Sequence, residues 1–113
     1  MDDLIAFLTA RLDKTEAKAK ETLRSLAWMI DNDVQPVGKV SAMAEETVPR
    51  MARVLRDVEA DRRLLAEWQK AETDPAVDDQ WNAGLAAGLR LAVQIRAARW
   101  SGHPGYRAEW ADG

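Results

Sequence analysis

Apolar positions near the start of the chain recur at the spacing of one helical face. Ile5, Leu8, Leu12, Thr15, Ala19, Leu23, Leu26 and Ile30 step by three and four. Residues 2–31 hold no Gly or Pro and are rich in Ala, Leu, Lys and Glu. One long helix is therefore expected, with Asp2 or Asp3 able to cap its start. Asp31-Asn32-Asp33, then Pro36 and Gly38, should end it. Val34, Val37 and Val40 follow, but the intervening Pro36 and Gly38 argue against a strand. Ser41 can cap a short helix through Glu46, after which Thr47 and Pro49 suit the cap and first turn of a second long helix. That helix carries Met51, Val54, Leu55, Val58, Leu65 and Trp68 on one face, Leu64 at its edge and Asp61 as a polar intrusion. Asp74 and Pro75 would open a third helix, with Trp81, Leu85, Leu89, Ala92 and Ile95 buried and Gly102 as a left-handed stop. The pattern predicts an all-α protein: an antiparallel bundle of three long helices (about 2–31, 48–72 and 75–101) with short helical appendages near 41–46 and 104–110.

At 113 residues the chain has room for one core, so a single helical domain over 1–113 is expected. The absence of Cys excludes disulfides, thiolate metal sites and a cysteine nucleophile, and a single His excludes sites built on two or three histidines. A net charge of −3 argues against a general polyanion binder. The acidic opening Met1-Asp2-Asp3 is unlike a basic leader, and the longest uncharged run, Trp81–Leu89, is too short to span a bilayer. A cytoplasmic setting without membrane contact is expected.

Candidate chemistry is sparse. No metalloprotease, nucleophile-elbow, P-loop or dinucleotide motif is present, and the adjacent pairs Glu45-Glu46 and Asp78-Asp79 would diverge on a helix. Asp61 within the second helix reads as a carboxylate reaching an Arg. No enzyme activity, cofactor, metal or small-molecule substrate is expected on these grounds.

Tryptophan is the unusual residue, with five against one Phe and one Tyr. Trp68 and Trp81 fit the predicted core stripes, while Trp28 and Trp100 lie near helix ends, and such rings commonly anchor protein contacts. Gly84, Gly88 and Ala92 form a ridge of small residues four apart, suited to close approach by another helix, either the first helix or a second copy. Tyr106 and Trp110, four apart in His103-Pro104-Gly105-Tyr106-Arg107-Ala108-Glu109-Trp110, need a groove, which the bundle itself or a partner could supply. A type II turn is expected at Pro104-Gly105, with His103 hydrogen-bonding near the end of the third helix. The candidate interaction residues are thus Trp28, Gly84, Gly88, Trp100, Tyr106 and Trp110. Arg90, Arg96, Arg99 and Arg107 lie in a stretch with no acid from Gly84 to Ala108, and are the candidate nucleic-acid contacts.

Three blocks carry a family resemblance: Met1-Asp2-Asp3-Leu4-Ile5-Ala6-Phe7-Leu8 with Ala10-Arg11-Leu12-Asp13; Pro49 with Ala52-Arg53-Val54-Leu55-Arg56-Asp57-Val58-Glu59-Ala60 and Arg62-Arg63-Leu64-Leu65; and His103-Pro104-Gly105-Tyr106-Arg107 with Glu109-Trp110. Together they resemble an uncharacterised family of small actinobacterial and actinophage proteins. The resemblance implies an actinobacterial or phage origin and brings no activity. The expected function is a non-enzymatic helical module for protein–protein interaction, phage or mobile-element encoded, pairing as a homodimer or with a host protein. The alternative is a small DNA-associated regulator that uses the arginine faces.

Overall fold

The computed structural model of the chain describes residues 2–32, 37–73 and 80–111. The protein is all-α, with no strand among the described residues. Helix α1 spans Asp2–Asp31, α2 Val37–Thr73 and α3 Gln80–Ala97, followed by 3-10 turns at Ala98–Trp100 and Ala108–Ala111. Helix α1 ends as its residues dictate: the side-chain amide and the backbone N–H of Asn32 both donate to the Trp28 carbonyl, at 2.8 and 2.9 Å.

Three boundaries differ from the sequence expectation. Residues 41–46 are not a separate appendage, because α2 starts at Val37 and runs unbroken through them. Ser41 and Thr47 therefore lie inside a helix, and Pro49 sits in its interior rather than its first turn. The segment has good helix formers on both sides of the proline, and Val48, Pro49 and Arg50 are exposed, so water can satisfy the carbonyl that Pro49 leaves without a donor. Helix α3 is described from Gln80; the expected cap and first turn at Asp74 and Pro75 lie outside the described residues. At its other end Gly102 is not left-handed: the helix tightens into the 3-10 turn and Ser101, still right-handed, donates its N–H to Ala98 at 3.0 Å. The predicted appendage near 104–110 is a turn at 104–105 leading into the 3-10 turn at Ala108–Ala111.

The chain divides into two compact units. The first joins Met1–Arg11 to Ala60–Gly113, and the second is Leu12–Glu59. In the first unit Leu4, Leu8, Leu65, Trp68, Ala71, Ala86, Val93, Ala97 and Trp110 are buried. Trp68 is completely enclosed and its indole N–H donates to Glu72 at 3.0 Å, so the largest core side chain carries no unsatisfied donor. Asp61 reaches Arg96 and Arg99 near the end of α3, while Glu72 shares a groove with Ala83, Ala86, Ala87 and Arg90. The later part of α2 and α3 thus run antiparallel. In the second unit Leu12, Ala19 and Leu26 of α1 and Val58 of α2 are buried, as their spacing predicts, whereas Ile30 is exposed.

The expected buried face of α3 is overturned. Trp81, Leu85 and Ile95 are exposed, Leu89 and Ala92 are half-buried, and the core side is made by Ala86, Val93, Gln94 and Ala97. Helix α3 is apolar on most of its circumference, so periodicity admits two solutions. With Trp68, Leu4, Leu8 and Leu65 already filling the core, small side chains on α3 are sufficient to close it.

Candidate interaction surface

The outward side of α3 is built by rotating those large residues away from the core. At about 100° per residue, Trp81, Gly84, Leu85, Gly88, Leu91, Ala92 and Ile95 fall within one sector of about 120°. Trp81 is 76% exposed, Leu85 47%, Leu91 52% and Ile95 64%. Between them, a Cβ built on Gly84 or Gly88 would meet no atom within 4 Å among the described residues. The small-residue ridge is therefore open, and its glycines gain no packing among the described residues for their backbone entropy. No charged residue lies in the sector; Arg90 projects from the other side of the helix and lines a shallow groove of about 540 Å³ with Glu72, Ala83, Ala86, Ala87 and Gln94, which Leu91 at the edge of the sector borders. In the second unit Trp28 is 61% exposed, beside Glu21, Arg24, Ser25 and Met29 on α1.

The arginines are largely engaged. Asp61, 5% exposed, forms ion pairs with Arg99 and, at 3.5 Å, with Arg96. The polar intrusion in the α2 stripe is thereby explained, with partners at the end of α3 and in the 3-10 turn that follows it rather than on its own helix. The Arg99 guanidinium also lies 4.1 Å from the centre of the Trp100 ring, which leaves Trp100 half-buried. Arg107 pairs with Asp3 at 2.8 Å and with Glu109 at 3.6 Å. Of the four candidate nucleic-acid arginines, Arg96, Arg99 and Arg107 thus have carboxylate partners.

The aromatic tail turns inward. Trp110 is 8% exposed, its ring 5.1 Å from Phe7 and 5.5 Å from Tyr106, and Phe7 meets Tyr106 at 6.2 Å and His103 at 5.4 Å. Trp110 is consequently sequestered by its own chain, and Tyr106 is half-buried beside it. Both His103 ring nitrogens face N–H donors: the Arg11 guanidinium at Nε2, 2.7 Å, and the Gly105 amide at Nδ1, 2.9 Å. A neutral imidazole can accept fully at only one of them. The turn at Pro104-Gly105 closes with Tyr106 N–H donating to the His103 carbonyl at 3.0 Å, but Gly105 lacks the positive φ of a type II turn. Space is tight there, since a Cβ would stand 3.2 Å from His103 Nδ1 and 3.3 Å from Phe7, so a larger residue would push these side chains back by a few tenths of an ångström.

The chain belongs to a family of unknown function, DUF6221. The family model matches residues 1–112, nearly the whole chain, which bears out the resemblance to an uncharacterised family. No curated protein and no solved structure matches the chain. Among the described residues of this DUF6221 protein, no group of three or more His, Asp or Glu could hold a metal ion, and no helix is long and apolar enough to cross a membrane.

Sequence reasoning overlooked Asp3, Phe7 and Arg11. They stand four apart on one face of α1, and each meets the tail: Asp3 at Arg107, Phe7 at three aromatic rings, Arg11 at His103. An acid, an aromatic and a base in that spacing mirror the residues of His103–Trp110, and that complementarity was the available signal.

Proposed function

We propose that this DUF6221 protein is a non-enzymatic helical module for protein–protein interaction, and that its working surface is the outward sector of α3. One observation carries the reading: four large apolar side chains, Trp81, Leu85, Leu91 and Ile95, are about half exposed or more around two open glycines. Contiguous apolar surface of this kind, free of charge, is typical of a binding site on a protein this small. Trp28 and Trp100 are further contact candidates, whereas Tyr106 and Trp110 are assigned to the fold. Arginine-based DNA binding has less support, because the pairs to Asp61, Asp3 and Glu109 compete with phosphate. The resemblance of the three sequence blocks supports an actinobacterial or phage origin and a cytoplasmic setting.

A photo-crosslinking side chain placed at Leu85 or at Leu91 tests the reading in the full chain, in an actinobacterial host. Discrete adducts are expected from both positions and none from Arg56, an exposed position on α2. Equal labelling at all three positions, or no adduct from α3, overturns it.

A further inference from the structure

The exposed sector of α3 reads nearly the same in both directions. Taking Gly88 as centre, Leu85 and Leu91 stand three residues to either side, Gly84 and Ala92 four, and Trp81 and Ile95 seven. Large and small residues thus alternate as a palindrome over the sector that faces away from the core. We infer that a second copy of this chain covers the face, the two α3 helices pairing antiparallel about a twofold axis at Gly88. Gly88 then meets Gly88, Leu85 meets Leu91, Gly84 meets Ala92, and Trp81 meets Ile95.

Three observations select this occupant. A twofold interface uses the same patch twice, so the patch must be complementary to its own reversed image, a condition that a different partner would not impose. Small residues four apart form the shallow ridge that lets two helices approach closely, and the space beside both glycines is open. The helix dipole sets the direction. Antiparallel pairing opposes the two α3 dipoles favourably, whereas parallel pairing sets like ends side by side. A single helix pair buries less than the roughly 800 Å² per partner of a stable complex, so association is expected in the micromolar range.

The inference rests on the α3 surface being the working one, and names its occupant. Because the chain has no Cys, single cysteines introduced at Trp81, Leu85, Leu91 and Ile95 report the register under mild oxidation. Antiparallel pairing predicts that none of the four chains cross-links to itself, and that mixing Leu85→Cys with Leu91→Cys chains, or Trp81→Cys with Ile95→Cys chains, yields the mixed dimer. Self-cross-linking at all four positions indicates parallel pairing and overturns the register. Light scattering of the unmodified chain from 5 to 500 μM (about a hundredfold range around the expected affinity) should show the mass rising from one chain to two. Gly88→Ala should raise the helix stability of the single chain and yet weaken pairing at least tenfold. Leu85→Glu alone should abolish pairing, and adding Leu91→Lys in the same chain should restore it. A single-chain mass throughout, with no cross-link, overturns self-pairing. If photo-adducts at Leu85 and Leu91 then carry a different protein, the interaction reading survives; if there are none, both readings fall.

Discussion

Asp61 shows how one residue can be misread or read correctly depending on where its partners are sought. A carboxylate inside an apolar stripe invites a catalytic interpretation, but its environment is that of a structural ion pair: buried itself, and held by two arginines that remain partly exposed. Replacing Asp61 with Asn keeps the shape and removes the charge. The loss should be about 1–3 kcal/mol, below the figure for a fully buried pair because solvent still reaches Arg96 and Arg99. Chemical denaturation of the Asp61→Asn chain checks this. A turnover activity lost in that variant while the fold stays intact would instead make the carboxylate catalytic.

At the level of the helix, legibility followed how unequal the faces are. The stripes of α1 and of α2 from Met51 onward alternate sharply with Lys, Arg, Asp and Glu, so most of the buried positions are legible, although Leu4 and Ala71 lie outside the predicted stripes and Ile30 is exposed. Helix α3 has no such contrast: between Trp81 and Ile95 only Arg90 is charged. Size usually tracks burial and points the largest residues of α3 inward, yet the core takes Ala86, Val93 and Ala97. The start of α2 failed for a different reason. Proline is most at home in a first turn, so Pro49 was read as a beginning, whereas the helix already extends twelve residues before it. That position makes a prediction. Interior proline costs a helix about 3 kcal/mol, so Pro49→Ala should stabilise the chain by about 1–3 kcal/mol, partly offset by greater freedom of the unfolded chain. Were Pro49 at a first turn, the change would be neutral or destabilising. Thermal melts monitored at the helical signal separate the two.

On the scale of the whole chain, the two ends are tied together. Residues 3–11 and 103–110, about a hundred positions apart, meet through an ion pair, an Arg–His contact and a cluster of four aromatic rings. Such a closure carries a large loop-entropy cost, which the buried rings must offset. The sequence revealed the tail as a docking element but not its socket, because Phe7 is the single phenylalanine in a helix otherwise read for its Leu and Ile positions. The closure can be measured with a double-mutant cycle. Phe7→Ala and Trp110→Ala should each destabilise by about 3–5 kcal/mol, as expected for a large core ring. If the rings act on each other, the double variant should lose less than the sum, with a coupling of about 0.5–1.5 kcal/mol. Deleting residues 103–113 should approach the double variant, since it removes both the Trp110 ring and the cover over Phe7. Additive single losses would mean that the two rings do not act on each other, and a deletion that leaves the melting temperature unchanged would mean that the tail is not part of the stable fold.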